Sequence, residues 1–117
     1  MTKFDLEERT ARFGENIIEF AKKMPQNPIN IPIITQLVKS GTSVGANYCE
    51  ADCAESKKDF EHKLGICKKE SKEAKHWLRM TAKAATNLKD EARKHWKEAN
   101  ELNLIFSSII NKSKRKQ

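Results

Sequence analysis

The sequence lacks a long apolar run, a secretory signal and a disulfide framework, and each absence excludes a class of protein. Its most apolar stretch, residues 104–110, is far shorter than the roughly 20 residues that a membrane-spanning helix needs. Residues 1–10 alternate charges and contain no apolar signal segment, so we expect a cytoplasmic protein. Three cysteines, an odd number, are more typical of reduced thiols than of paired disulfides.

Catalytic motifs are also missing. No Ser-His-Asp order, no glycine-rich phosphate loop and no cleft of paired carboxylates can be assembled from the sequence. We therefore expect that the protein is not an enzyme and needs no cofactor.

What the sequence does contain is a regular apolar pattern. Apolar or small residues recur at alternating steps of three and four in four series, which run from Leu6 to Met24, from Ile34 to Ala51, from Phe60 to Ala85 and from Leu88 to Ile109. A period near 3.5 places each series on one side of an α-helix, as an apolar seam that another helix must cover. The pattern predicts an all-α protein.

The residues between the seams indicate where the helices begin and end. Asp5 is a good N-cap, Pro25 ends the first helix and Pro32 suits the first turn of the second. Ser56 and Asp59 form a capping-box pattern that opens the third helix. The predicted helices cover about 5–24, 31–53, 57–85 and 88–111, followed by a basic tail at 112–117.

These helices predict one domain over residues 1–117. Short links between the second and third helices and between the third and fourth favour antiparallel neighbours, and hence an up-down-up-down antiparallel four-helix bundle.

All four glycines lie inside predicted helices, where each costs about 1 kcal/mol relative to alanine. Gly41 and Gly45 are one turn apart, which predicts that a neighbouring helix approaches closely there. Gly14 and Gly65 lie beside the seams of their helices. They are compatible with a second packed surface, such as one between subunits, or with glycines that are merely tolerated.

Charge is unevenly distributed along the chain. Residues 1–55 hold six Lys or Arg against eight Asp or Glu, residues 56–87 hold nine against four, and residues 88–117 hold eight against four. The net charge of +7 therefore comes from the last two helices and the tail. Cations at helical spacing in the third helix predict a stripe about 22 Å long, formed by Lys68, Lys72, Lys75, Arg79 and Lys83.

Such a stripe has two interpretations. It is the electrostatic footprint of a protein that binds nucleic-acid phosphates and gains affinity from counterion release. It is also compatible with a solvated lysine face, because Glu70 and Glu73 are close in sequence and would neutralise part of it. The basic tail, with Lys112, Lys114, Arg115 and Lys116, is more typical of a disordered, solubilising segment.

Four motifs in the middle of the chain resemble a known family. The run LVKSGTSVGANYCEA at residues 37–51 is followed by SKKDF at 56–60, KESKE at 69–73 and Trp77-Leu78. These motifs, at this separation, resemble the bacterial four-helix bundle proteins first named from intervening sequences of 23S ribosomal RNA genes. The resemblance covers essentially the full length of the chain.

The resemblance implies an up-and-down four-helix bundle that assembles as a ring-like homopentamer and has no enzyme activity. A related branch of the family comprises accessory proteins of diversity-generating retroelements, which associate with a reverse transcriptase and nucleic acid. The sequence contains no motif that separates the two branches.

Within the matching run, Ser43, Asn47 and Glu50 follow one another at steps of four and three, beside the apolar seam. Polar groups near a core need partners, and a buried Asn can fix the register between helices. We therefore predict a structural role for these three residues rather than ligand binding.

Two sets of potential metal ligands are less convincing. Glu73 and His76 have the Glu-x-x-His spacing of di-iron bundles, but the seam residues of that segment turn the pair outward. A zinc site would have to combine Cys49, Cys53, His62 and Cys67, whose spacing matches no standard module. We predict no metal site, and we assign His95 to the core.

The sequence thus favours a non-enzymatic, homo-oligomeric bundle that binds RNA or DNA electrostatically, as an accessory to a reverse transcriptase or another nucleic-acid enzyme. The alternative is a structural or protein-interaction bundle whose basic faces only keep it in solution. Salt dependence separates the two, because phosphate contacts weaken steeply with added salt while apolar contacts do not.

Overall fold

The chain is built from four long α-helices. The computed structural model describes residues 3–116, with side chains from residue 5 onward. The helices are α1 (Lys3–Ala21), α2 (Asn30–Asp52), α3 (Lys57–Ala84) and α4 (Lys89–Arg115), with a 3₁₀ turn (Thr86–Leu88) before α4. No strand occurs among these described residues, which confirms the all-α prediction. In the same range, no helix combines the length and the apolar character that crossing a bilayer requires.

Contacts between side chains show that the helices pack antiparallel in a bundle measuring 49 × 21 × 20 Å. In each packed pair, rising residue numbers in one helix meet falling numbers in the other. The pairs are Glu61–Ser113 and Lys75–Asn100 for α3 and α4, Arg9–Glu98 and Lys23–Glu91 for α1 and α4, and Glu50–Lys63 and Val44–Cys67 for α2 and α3.

The predicted seams form the core. Their buried members are Leu6, Thr10, Phe13, Ile17, Phe20 and Met24 in the first segment, Leu37, Gly41, Val44, Tyr48 and Ala51 in α2, Leu64, Cys67, Ser71, Ala74, Leu78 and Thr81 in α3, with Ala85 just after it, and Leu88, Ala92, Ala99, Leu102 and Phe106 at and within α4. Ile34, Phe60, His95 and Ile109 are half-buried at the edges. In the described part of the chain, every buried side-chain nitrogen or oxygen has a hydrogen-bond partner.

The first turns of α3 and α2 are stabilised by different side-chain hydrogen bonds. Ser56 has extended backbone angles and its hydroxyl accepts a hydrogen bond from the Asp59 backbone N–H at 3.0 Å, as the capping pattern predicted. The start of α2 has no cap at the residue before the helix. Instead, the Asn27 side-chain oxygen accepts from the N–H groups of Ile29 and Asn30. Asn27 was not identified from the sequence.

The ends of α1 differ from the prediction. The helix begins at Lys3, so Asp5 lies in its first turn and is not the N-cap. It ends at Ala21 rather than residue 24, because the N–H groups of Lys23 and Met24 donate three residues back, to Phe20 and Ala21. This tighter turn still buries Met24.

The C-terminal segment also differs, because α4 continues to Arg115 and most of the predicted tail is helical. Lys112, Lys114 and Arg115 form its last turn, where cations interact favourably with the helix dipole. The Lys57 ammonium group donates to the Lys116 carbonyl oxygen at 2.7 Å. Gln117, the last predicted tail residue, lies outside the described residues.

Glycines bring α1 and α2 together. A Cβ atom added to Gly41 would lie 2.8 Å from Ile17 Cγ2, and one added to Gly45 would lie 3.2 Å from the Thr10 carbonyl oxygen. This confirms the predicted close approach. Gly14 packs on Thr42 of α2 within the same chain, whereas a Cβ atom at Gly65 would meet no atom within 4 Å.

These two environments predict opposite effects of alanine. Both Gly41→Ala and Gly65→Ala gain helix propensity, but only Gly41→Ala overpacks the fully buried Ile17. We expect Gly41→Ala to be less stable than Gly65→Ala by about 1–3 kcal/mol, and Gly65→Ala to be at least as stable as the unmodified chain. Denaturant unfolding measures both, and equal stabilities would contradict the close approach.

Candidate nucleic-acid interface

The predicted basic stripe lies on the flank of α3 that borders α4. Four of its five residues directly follow seam residues, as Lys68 follows Cys67 and Arg79 follows Leu78, so they emerge at the edge of the α3–α4 contact. Lys68, Lys72, Arg79 and Lys83 are exposed. Within the described residues, none of these four side chains has a hydrogen-bond or ion-pair partner.

Lys75, the central member, differs from the other four. It is half-buried, its ammonium group donates to Asn100 Oδ1 at 3.0 Å, and it lies 5.1 Å from the centre of the Trp96 ring. A cation over an indole face is attracted by the ring quadrupole. Lys75 therefore joins α3 to α4 and fixes Trp96, and it is less available to an external anion.

The second half of the basic surface comes from α4 and was missed in the sequence. Lys89, Arg93 and Lys97 recur at steps of four, and they line a groove of about 390 Å³ opposite Arg79. The other lining residues are Leu78, Ala82, Ala92 and Trp96. We call this the α3–α4 groove. Its lining contains four cations and no acidic residue.

Glu91 and Glu98 of α4 point away from this groove, toward α1. Glu98 accepts from the Arg9 guanidinium at 2.7 Å and Glu91 accepts from the Lys23 ammonium at 2.9 Å. The α1 side of α4 thus carries these carboxylates together with Lys94, while the groove beside α3 is lined by cations alone among its charged residues.

Glu70 and Glu73 do not neutralise the stripe as the sequence suggested. They lie on the opposite flank of α3, toward α2, where Glu70 interacts with Lys39. Burial raises the pKa of Glu70, and its hydrogen bond to Glu73 raises it further. On the α4 flank of α3, Glu61 accepts a hydrogen bond from the Ser113 hydroxyl, at the far end of the bundle from the α3–α4 groove.

The three polar residues of α2 make mostly local contacts. Ser43 donates to the Lys39 carbonyl oxygen at 2.6 Å, and Asn47 donates to the Ser43 carbonyl oxygen at 2.8 Å. Neither bond reaches another helix, although we had expected Asn47 to join helices. Only Glu50 does so, by accepting from Lys63 of α3 at 2.7 Å on the exposed surface.

The potential metal ligands do not converge. Within the described residues, no group of three His, Cys, Asp or Glu side chains is placed to hold a metal ion. Cys49 and Cys53 are exposed, while Cys67 is buried, and its thiol donates to the Val44 carbonyl oxygen at 3.6 Å. Burial raises the pKa of Cys67 to about 12, so it remains a thiol. Glu73 and His76 are exposed, as expected from the seam.

His95 lies between α4 and α1 at the edge of the core. Its ring is 5.0 Å from the Phe20 ring, and its Nε2 atom is 3.9 Å from a Glu91 oxygen. Burial lowers the pKa of His95, and the charges of Lys94 and Lys23 lower it too, although Glu91 acts in the opposite direction. The neutral imidazole is therefore the form that the folded chain favours.

Comparisons with known proteins identify relatives of this fold. The sequence model of the 23S rRNA-intervening sequence protein family matches residues 2–108. A solved structure of a protein of unknown function, from the S23 ribosomal protein family of Bacteroides thetaiotaomicron, is 28% identical with a TM-score of 0.86, covering 95% of this chain and 99% of that one. Comparison with curated proteins gives no significant match. The family match confirms the resemblance identified from the α2 and α3 motifs.

The lowered pKa of His95 predicts a pH dependence of stability. In the unfolded chain His95 binds a proton near pH 6.5. In the folded chain the pKa of His95 is lowered, so it binds a proton only at lower pH. The stability that neutral His95 contributes is therefore present above pH 6.5 and lost as the pH falls. We expect denaturant unfolding to show a smaller acid-induced loss in His95→Gln than in the unmodified chain. An equal loss in both would contradict this assignment.

Proposed function

This chain belongs to the 23S rRNA-intervening sequence protein family, and we propose that it is a non-enzymatic protein that binds nucleic acid through the shared face of α3 and α4. The observation that carries the proposal is the segregation of charge. Several cations elsewhere are paired with carboxylates, as in Arg9–Glu98, Arg12–Glu8, Lys22–Glu19, Lys23–Glu91 and Lys63–Glu50. Those of the α3–α4 face have none within the described residues.

A face whose cations lack carboxylate partners is better suited to binding a polyanion than to contacting solvent alone. The α3 stripe supplies Lys68, Lys72, Arg79 and Lys83, and α4 adds Lys89, Arg93 and Lys97 along a parallel line. Such a field attracts phosphates, and each phosphate that is neutralised releases counterions. The mode of binding is electrostatic, so it distinguishes nucleic acids by charge density rather than by base sequence.

The absence of catalysis is part of the proposal. The groove lining offers cations, apolar side chains and one indole, but no carboxylate, histidine, cysteine or serine to act as nucleophile or base. The site is equipped to hold phosphates and not to cleave them.

A second candidate function is protein interaction at the opposite end of the bundle. There an apolar groove of about 530 Å³ lies where the start of α1, the end of α2, the start of α3 and the end of α4 meet, lined by Leu6, Phe60, Ile105 and Ile109 among others. Leu104, nearby on α4, is 61% exposed. Exposed apolar surface of this kind is typical of interaction sites. It favours the structural or protein-interaction alternative for that end of the molecule.

We also propose that the chain is cytoplasmic, assembles as a ring-like homopentamer and serves as an accessory to a nucleic-acid enzyme such as a reverse transcriptase. The resemblance to the family supports the assembly and the accessory role. A ring would repeat the basic face five times, and several weak contacts to one polyanion raise avidity.

The assembly has a direct test. Light scattering during size exclusion should give a mass five times the 13.4 kDa of the single chain. A mass of one chain would contradict the homopentamer while leaving the basic face of each chain unchanged.

The binding face predicts the effect of charge reversal. The variant carries Lys68→Glu, Lys72→Glu, Arg79→Glu and Lys83→Glu, and leaves Lys75 in its structural contact. Its affinity for a nucleic acid at low salt should fall at least about tenfold, because four phosphate contacts are lost. Fluorescence anisotropy at several salt concentrations should also show the slope of log affinity against log salt becoming shallower by roughly 3.

A matched control changes the same number of charges elsewhere. Arg12, Lys22, Lys39 and Lys58 are exposed and lie off the stripe, so their reversal to Glu should reduce the affinity much less. Circular dichroism confirms that both variants fold. If both sets weaken binding equally, the attraction depends on net charge and the α3–α4 face is not the site.

A further inference from the structure

We propose that the α3–α4 groove receives an unpaired base of single-stranded nucleic acid, which stacks on Trp96 while the surrounding cations hold the flanking phosphates. The inference rests on the proposed function and names its substrate class as single strands rather than duplexes.

The groove differs from a site that binds only phosphate because part of its lining is apolar. Leu78 and Ala92 form a buried floor, Ala82 is half-buried, and Trp96 keeps 37% of its surface exposed. Phosphates gain nothing from this apolar surface. A nucleic-acid base has an apolar π-face, and stacking on an indole removes that face from water. The groove therefore fits a base better than a phosphate.

A duplex cannot use the groove in this way. Its bases are stacked inside the helix, so it presents chiefly phosphates and groove edges to a protein. A single strand exposes unstacked bases beside its phosphates. The groove has a volume of about 390 Å³, within the range of roughly 300–1,000 Å³ typical of small-ligand pockets, so it has room for one nucleotide unit.

The cations are arranged around this apolar floor. Arg79 approaches from α3, while Lys89, Arg93 and Lys97 follow one another along α4 at one-turn intervals. Guanidinium groups pair with phosphate oxygens in a bidentate manner and also stack on bases. No carboxylate lines the groove. Its cations therefore complement the charge of the phosphates on both sides of an inserted base.

Lys75 acts as a positioning residue in this site. Its ammonium group covers the Trp96 ring at 5.1 Å and is held by Asn100 Oδ1 at 3.0 Å. The indole is therefore fixed before a ligand arrives, and a fixed stacking platform loses less conformational freedom on binding.

The experiment compares a labelled single strand of about 16 nucleotides with the duplex that it forms with its complement. Binding is measured by anisotropy at low salt for the unmodified chain, Trp96→Ala and Trp96→Phe. We expect Trp96→Ala to weaken single-strand binding about 5- to 100-fold, to leave duplex binding unchanged, and Trp96→Phe to retain most of the affinity.

Two further measurements strengthen the test. Ile18→Ala removes a side chain of nearly the same exposure, 38%, from α1 and should leave both affinities unchanged. In a Trp77→Phe background, Trp96 is the one remaining tryptophan of two. Its emission should then be quenched by the single strand and not by the duplex.

The outcomes separate the inference from the proposed function. If the unmodified chain binds single strand and duplex, and Trp96→Ala weakens neither, the face is electrostatic and the stacking site is wrong. If the unmodified chain binds neither nucleic acid at low salt, the proposed function fails and the inference fails with it.

Discussion

The burial of four apolar seams in one core fixes the rotation of each helix about its axis. That rotation determines which side chains lie on the surface. Leu78 of α3 and Ala92 of α4 are both directed into the same core. The residues that follow them, Arg79 and Arg93, therefore emerge on the flanks where α3 and α4 meet. A rotation of either helix by one residue would expose core side chains, so the cationic face cannot be changed without disturbing the core.

This arrangement has an energetic consequence for the fold. Like charges gathered on one face repel one another and destabilise the compact state. Three anions of these helices are engaged elsewhere, Glu91 and Glu98 with α1 and Glu70 toward α2. The fold therefore retains an electrostatic cost on the α3–α4 face. The proposed binding of a polyanion would remove that cost.

The sequence was sufficient to predict the helices and the core, because a period of 3.5 identifies the buried side of each helix without knowledge of its neighbours. The cap at Ser56 was predictable because it depends on residues three apart. The loop cap by Asn27 and the extension of α4 to Arg115 depend on how the chain turns and packs, so they were not found.

The candidate site was only half predictable for the same reason. The stripe on α3 lies within one helix and appears as a spacing. Its completion by Lys89, Arg93 and Lys97 requires the relative rotation of two helices, which a single helical pattern does not contain. Glu70 and Glu73 were expected to neutralise the stripe because they are close to it in sequence, although the helical spacing places them on the other flank of α3.

Lysine footprinting tests the central claim most directly. An amine-reactive reagent is applied to the free chain and to the chain mixed with a single-stranded oligonucleotide at low salt, and modification is read for each lysine by mass spectrometry. Binding at the α3–α4 face predicts protection of Lys68, Lys72, Lys83, Lys89 and Lys97, with Lys22 and Lys39 modified equally in both samples. Protection spread over all faces, or confined to α1 and α2, would contradict it.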